Sequence, residues 1–237
     1  MKAQLILNVA AQKHIIAKAL CNYIDFSKKV YIAYGSTNQY LLYHLEKLPK
    51  SAYIAGCFTN NALNVTKSRP SPIVLNNKKE IDIKNFEISS DDYFIKGANA
   101  LWYEGACKHA AVAAADENGG TFGNFYIKAS CRGAKVIIPV SHEKLIPFYK
   151  AATQNVKIAM GSKIAMLRFF YGEIFTEIEA FKILFDLKAD IIAAGGIDGN
   201  EGSIIVEVEG DEKNIKDALE FVKKFSFKVD LEKEVLF

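Results

Sequence analysis

The chain has 237 residues, of which 50% are hydrophobic, so it can form one large or two modest domains around a substantial core. Its 30 basic and 27 acidic residues give a net charge of +3, which is too balanced to favour nucleic acid as a partner. No apolar run approaches the roughly 20 residues of a membrane helix, and the N-terminal segment lacks the unbroken apolar core of a signal peptide. These features predict a cytoplasmic protein without a membrane partner. The four cysteines form no CxxC pair and are predicted to be reduced core thiols.

In chain order, the first half alternates predicted helices and strands. Apolar residues at helical spacing predict an amphipathic helix over roughly 3–25. The predicted strands that follow are Val30–Tyr34, Ala52–Phe58 and Ile73–Leu75. A helix is predicted between the first two, and a polar loop over 60–71 precedes the third.

Residues 91–148 contain two further short apolar strands, Tyr93–Lys96 and Lys135–Val140. Between them lies a helix-like segment, Phe122–Cys131, with Gly133 as its stop. The alternation predicts an α/β fold with a mainly parallel sheet and helices on both faces. Because ligands collect at the carboxyl ends of such strands, residues 35–37, 96–99 and the segment after Val140 are expected at one edge.

From about residue 157 the pattern changes to the order βαββαβ, which is typical of a ferredoxin-like α+β unit. The chain is therefore predicted to have two domains, 1–150 and 157–231. The predicted elements of the second are Met166–Phe170, Glu177–Leu187, Asp190–Ala194, Ser203–Val208, Glu212–Phe225 and Lys228–Leu231, with a glycine-rich loop over 195–202.

The turn Gly35-Ser36-Thr37 joins a predicted strand to a helix N-terminus. Backbone N–H groups are unpaired at such a terminus and the helix dipole is positive there, so the turn is a candidate anion site. Ordinary helix capping by Ser36 or Thr37 explains the same residues.

The segment DDYFIKGANALWYEG resembles the strand and loop of ribose-5-phosphate isomerase, and Tyr34-Gly35-Ser36-Thr37 resembles the phosphate loop of that family. The resemblance extends to a wider superfamily of sugar-phosphate isomerases, glucosamine-phosphate deaminases, sugar-phosphate sensor domains and CoA transferases. It implies a small phosphorylated ligand at the strand ends and a small ferredoxin-like domain after the sheet.

The acidic pair of the isomerases is replaced if Gly97-Ala98 align with that family's Gly-Ala, because Asn99 and Ala100 then follow. Isomerisation needs a carboxylate base, which asparagine does not provide. In an alternative alignment, Lys96-Gly97 match a later Lys-Gly loop and Lys96 is the polarising residue. Glu104, in the loop after this strand, is either a replacement base or a solvated turn carboxylate.

Asp116-Glu117-Asn118-Gly119-Gly120 resembles the Ser-Glu-Asn-Gly motif of CoA transferases. In that family the glutamate attacks a thioester and carries CoA covalently, which implies Glu117 as nucleophile. The same residues are also typical of a polar turn.

The remaining candidate ligand residues are Gly119-Gly120-Thr121, which lead into the helix-like segment, and Lys144, which follows a strand end. Lys144 either meets a phosphate or caps a helix. The expected partner is a small anionic metabolite, a sugar phosphate or a CoA ester, with neither a cofactor nor a metal. A non-catalytic sensor or assembly subunit is the third alternative, and a homo-oligomer is expected.

Overall fold

The computed structural model describes residues 1–59 and 61–229. The helices are α1 (Val9–Tyr23), α2 (Ser36–His44), α3 (Ile127–Cys131), α4 (Glu177–Phe185) and α5 (Glu212–Lys224). A π-helical turn, Phe122–Tyr126, runs directly into α3, and short 3-10 turns lie at Ile83–Asn85 and His142–Lys144. The strands are β1 (Lys2–Leu7), β2 (Lys29–Ile32), β3 (Gly56–Thr59), β4 (Ala62–Val65), β5 (Ile73–Asn76), β6 (Lys79–Ile81), β7 (Tyr93–Ile95), β8 (Ala100–Glu104), β9 (Cys107–Ala114), β10 (Lys135–Pro139), β11 (Ala165–Arg168), β12 (Glu173–Phe175), β13 (Lys188–Gly195) and β14 (Ser203–Glu209).

The central sheet has six strands in the order β12-β10-β7-β2-β5-β6. The first four are parallel to their neighbours, and β5 and β6 are added antiparallel. The fold is therefore α/β with a mixed sheet. The expectation of a mainly parallel sheet is not confirmed, because the hairpin of β5 and β6 reverses the chain direction at one edge.

Alternating residues of the central strands enter two different cores. Val30 and Ile32 of β2 pack into the core that contains α1, α2 and α4. Tyr31 and Ala33 face the opposite core, together with the π-helical turn and α3. The central sheet thus carries helices on both faces, and α3 ends where Gly133 donates its N–H to the Ser130 carbonyl.

A second, three-stranded sheet has the order β1-β14-β13. The predicted helix over 3–25 begins too early. Lys2–Leu7 forms β1, which pairs antiparallel with β14, and the helix begins only at Val9. Asn8 separates the two elements because its Oδ1 accepts the N–H of Ala11 at 2.8 Å, as an N-cap does.

The segment 157–231 shares sheets with the first part of the chain. β11 pairs with β9, β12 pairs with β10, and β14 pairs with β1. A separate ferredoxin-like domain is therefore not confirmed, although α4, β13, β14 and α5 follow one another as expected. In the predicted last strand, Lys228 and Val229 are not in a strand, and the remainder lies outside the described residues.

The sequence predicts neither the hairpin of β5 and β6 nor two further hairpins. In one of these two, Gly56–Thr59 pairs antiparallel with Ala62–Val65, where the sequence predicts a strand over Ala52–Phe58 and a loop over 60–71. β8 and β9 form the other, and its alanine-rich second strand also pairs with β11.

The prediction that the four cysteines lie in the core is wrong. Cys21 and Cys57 are half-buried, whereas Cys107 and Cys131 are exposed.

Across residues 1–59 and 61–229, no helix has the length and apolar character that crossing a membrane requires.

Candidate functional site

A cleft of about 1320 Å³ opens at the carboxyl ends of the parallel strands. The segments that follow β2, β7 and β10 all contribute to its wall. The structure brings ten of the predicted site residues together there: Gly35, Ser36, Thr37, Lys96, Gly97, Asn99, Gly119, Gly120, Thr121 and Lys144.

The turn after β2 presents the uncapped N-terminus of α2 to the cleft. Gly35 is the N-cap residue and supplies no side-chain hydrogen bond, so the predicted capping by Ser36 or Thr37 is wrong. The first intrahelical bond is donated by Gln39 to the Gly35 carbonyl at 2.9 Å, which leaves the N–H groups of residues 36–38 without a helical acceptor. The Thr37 hydroxyl is buried and has no hydrogen-bond partner among the described residues.

Lys96 follows β7 and lies at the centre of this edge. Its backbone N–H donates to the Ile137 carbonyl at 3.1 Å, so the residue continues the pairing of β7 with β10. Its half-buried side chain reaches back towards β2, where Nζ lies 3.4 Å from the carbonyl oxygen of Tyr34. No carboxylate lies within ion-pair distance of this ammonium among the described residues.

Lys144 closes the 3-10 turn after β10, and its Nζ donates to the carbonyl oxygen of Ala98 at 2.9 Å. The turn is fixed from two sides. The Gln12 amide oxygen accepts the N–H of Glu143 at 3.1 Å, and the buried Glu177 carboxylate accepts the N–H of His142 at 3.1 Å and its Nδ1–H at 2.7 Å. Glu143 itself pairs with Lys13 at 3.1 Å rather than with Lys144.

Both lysines at this edge are easier to deprotonate than an exposed lysine. Burial lowers the pKa of Lys96 to about 8, and the positive charge of Lys144 contributes in the same direction. Burial likewise lowers the pKa of Lys144 to about 8, with Lys13 lowering it further and Glu143 opposing the change. Each ammonium is thus destabilised where it lies, and a bound anion would restore part of its lost solvation.

Two further cations line the cleft, Arg69 and Lys163, and neither was singled out from the sequence. Among the described lining residues only Asp116 is acidic. The cleft therefore has a clear excess of positive charge in a chain whose overall charge is nearly balanced. Arg69 and Lys163 lie in polar, turn-rich segments, and no local pattern marks them as neighbours of Lys96.

The turn over 116–120 is organised by Asp116, whose Oδ1 accepts the N–H of Asn118 at 2.8 Å and that of Gly120 at 3.3 Å. It packs closely on the π-helical turn, because a Cβ on Gly123 would lie 1.6 Å from the Asn118 carbonyl oxygen. This contact brings Gly119, Gly120 and Thr121 to the cleft wall.

The side chain and backbone of Asn99 make structural hydrogen bonds. Its Oδ1 accepts the N–H of Ala113 at 3.0 Å, and its own N–H donates to the Ala111 carbonyl at 2.8 Å. These bonds attach the loop after β7 to the end of β9. Gly97 lies on the same loop, where a Cβ would lie 3.5 Å from the Pro139 carbonyl oxygen.

The two glutamates proposed for catalysis lie away from the cleft wall. β8 carries Glu104 five residues beyond Asn99, roughly 17 Å along an extended strand. There it accepts the indole N–H of Trp102 at 2.9 Å, which holds its pKa below the usual range. Glu117 is exposed, because the turn directs Asp116 to the cleft and the following residue to solvent. Neither carboxylate lines the cleft.

Part of the cleft wall is apolar, which the sequence does not predict. The β3–β4 hairpin contributes Phe58, Leu63 and Val65 to it, and the segment around residue 164 contributes Ile164. A Cβ on Gly161 would lie 2.2 Å from the Leu63 carbonyl oxygen, so glycine permits the segment to bridge directly to β4. This wall depends on pairing between residues about 100 positions apart, which short-range sequence patterns do not indicate.

The glycine-rich loop over 195–202 joins β13 to β14 and contributes no residue to the cleft wall. Within the described ranges, no group of three or more His, Cys, Asp or Glu side chains has the arrangement of a metal site. Comparison of the chain with protein-family models, with curated proteins and with solved structures found no match.

Proposed function

We propose that the cleft binds a small metabolite carrying a phosphate or a similar anionic group. The observation that carries this proposal is that Lys96 and Lys144 both line the cleft. Neither ammonium group has a carboxylate partner among the described residues. The uncapped N-terminus of α2 lines the same cleft. Partly buried cations that lack a counter-ion are costly in a folded protein. A phosphate accepts hydrogen bonds from ammonium and backbone N–H groups together, and so offsets that cost.

The size of the cleft indicates a ligand with more than a phosphate. About 1320 Å³ exceeds the roughly 300–1,000 Å³ of ordinary small-molecule pockets. The cleft is lined both by cations and by apolar side chains such as Phe58 and Leu63. We therefore favour a ligand with an anionic end and a larger body, as in a sugar phosphate or a CoA ester.

Binding is better supported than any particular reaction. In the alignment of Gly97-Ala98 with the isomerase Gly-Ala, Asn99 replaces the carboxylate base that aldose–ketose isomerisation needs. This replacement agrees with a non-catalytic sensor related to the sugar-phosphate isomerases. Glu117 is exposed and outside the cleft wall, which does not favour chemistry of the CoA-transferase kind. A homo-oligomer and a cytoplasmic location stay predictions.

The proposal is tested by measuring the affinity for inorganic phosphate and for a panel of sugar phosphates by calorimetry and thermal shift. Replacing Lys144 by glutamine should weaken binding about tenfold or more, since a charged hydrogen bond contributes about 1.5–3 kcal/mol. Ser36→Ala combined with Thr37→Val should weaken it as well. Lys150→Gln is the matched control, because Lys150 is exposed and does not line the cleft.

Equal affinities in wild type, Lys144→Gln and Lys150→Gln would contradict the proposal. Failure of every phosphorylated compound to stabilise the wild-type protein would contradict it too.

A further inference from the structure

We propose that Lys96 is a nucleophile that forms an imine with the carbonyl carbon of a phosphorylated aldehyde or ketone bound in this cleft. The inference rests on the proposed function, because the phosphate is what holds the carbonyl group near the amine. It goes further in naming the reacting group of the ligand and the atom of the protein that reacts with it.

The contacts of the two cleft lysines differ in a way that selects Lys96. The Lys144 ammonium is anchored by a 2.9 Å hydrogen bond to the Ala98 carbonyl oxygen, whereas Lys96 Nζ has only a 3.4 Å contact with the Tyr34 carbonyl oxygen. An attacking amine needs a free lone pair and freedom to approach carbon. Lys96 meets that condition, and Lys144 supplies a fixed positive charge beside it.

The strand register places the amine close to the anion site. β2 and β7 are parallel neighbours with Ile32 opposite Ile95, so Lys96 and the turn at Gly35 leave strands only about 5 Å apart. A ligand whose phosphate meets the N-terminus of α2 therefore holds its carbon chain within reach of a lysine side chain. Lys96 follows its strand directly, so its backbone is fixed by the sheet.

Burial and the neighbouring charge also make the free amine available near neutral pH. With a pKa of about 8, about a quarter of Lys96 is neutral at pH 7.5, against about a thousandth of a lysine at the ordinary 10.5. A second cationic group beside a half-buried lysine is a recognised way to activate an amine towards carbonyl compounds.

The step is balanced without a further reactant. The Nζ lone pair forms a bond to the carbonyl carbon, and proton transfer from nitrogen to oxygen gives a carbinolamine. Loss of the hydroxyl group together with the remaining N–H proton releases one water and leaves the C=N bond. Nothing is oxidised or reduced, and hydrolysis reverses the reaction.

The test uses pyridoxal 5′-phosphate as a probe, because it carries an aldehyde and a phosphate on one small molecule. The 237-residue chain is incubated with low concentrations of the probe, reduced with borohydride, digested and mapped by mass spectrometry. Lys96 should be labelled at least about tenfold more than the exposed lysines, because its neutral fraction is larger. It should also be labelled more than Lys144, because the Ala98 carbonyl oxygen holds the Nζ of Lys144. Inorganic phosphate should reduce the labelling, and pyridoxal without the phosphate should label Lys96 much less.

Two variants separate this inference from the proposed function. Lys96→Arg keeps a positive charge and is expected to lose the reducible adduct, whereas Lys150→Gln should retain both phosphate binding and the adduct. Phosphate binding with no selective labelling of Lys96 would overturn the imine and leave the proposed function standing. Labelling that is indifferent to the phosphate group would overturn the inference as stated, and absence of both binding and labelling would overturn both proposals.

Discussion

His14 is fully buried in α1. Its Nδ1 lies 3.0 Å from Nε2 of His44, and its Nε2 lies 3.1 Å from the Phe227 carbonyl oxygen. Because a carbonyl oxygen only accepts, His14 carries its proton on Nε2 and accepts from His44 through Nδ1. Both imidazoles are neutral in this arrangement.

The buried pair predicts that stability falls in mild acid. Burial lowers the pKa of His14 to about 4, and burial together with His14 lowers that of His44 to about 4. Between pH 6.5 and 4 the unfolded chain therefore binds more protons than the folded one, so the free energy of unfolding decreases as pH falls through this range. His14 alone is expected to contribute a loss of roughly 3 kcal/mol, and the less buried His44 a smaller one. Urea unfolding from pH 8 to pH 4.5 measures the effect.

His14→Gln is the variant for this measurement, with pH 8 as its internal reference because both imidazoles are neutral there. Its unfolding free energy should depend less steeply on pH than that of the wild type. Identical slopes in the two proteins would show that the pair is not responsible.

Among individual residues, those next to predicted strands were the easiest to identify. Gly35, Lys96 and Lys144 each follow a strand of the parallel part of the sheet, so their meeting at one edge follows from topology. Arg69 and Lys163 reach the same cleft from loops, whose course is set by tertiary contacts rather than by a local pattern.

At the level of elements, the alanine-rich strand β9 shows where local propensity is misleading. Cys107–Ala114 contains mostly residues that favour helices in isolation, yet it lies between β8 and β11 in a three-stranded sheet. Pairing on both sides decides its conformation, since strand formation depends strongly on context. The helical segment Phe122–Cys131, by contrast, was predicted with the correct limits because its apolar spacing and Gly133 stop are local signals.

The π-helical turn predicts a large effect for a one-methyl change. Gly123→Ala would put a Cβ 1.6 Å from the Asn118 carbonyl oxygen, so the 116–120 turn must move away from the helix. Such overpacking typically costs about 1–3 kcal/mol, occasionally more. Thermal unfolding should show the loss of stability, and phosphate affinity should fall because Gly119 and Gly120 are displaced.

Gly195→Ala is the matched control, since a Cβ there meets nothing within 4 Å and Gly195 lies outside the cleft wall. It should leave both stability and affinity nearly unchanged. A Gly123→Ala protein as stable as the control would mean that the close approach is relieved without cost.

At the scale of the whole molecule, early and late segments are interleaved. β12 forms one edge of the central sheet beside β10, and β1 forms one edge of the sheet that contains β13 and β14. The alternation of elements along the chain predicted an α/β protein. It did not predict these edges, because periodicity describes each segment alone and carries no information about distant partners.

The interleaving predicts that residues 1–150 do not fold by themselves. Without β12 and α4 one face of the fragment loses part of the core around Phe175 and Phe181, both fully buried. β1 would also lack its partner strand. The fragment should show no cooperative urea transition, whereas the full chain should unfold in one. Circular dichroism measures both, and a cooperative transition in the fragment would instead support the division at residue 150.

The pairing of β1 with β14 also has a consequence for biosynthesis. Lys2–Leu7 leaves the ribosome early, but its partner Ser203–Glu209 is made about 200 residues later, which at 5–20 residues per second takes about 10–40 s. During that interval Leu5 and Leu7, both buried in the finished fold, have no sheet to enter. The nascent chain therefore presents an apolar strand with an unpaired edge for tens of seconds, and such an edge is exposed to aggregation until its partner strand is made.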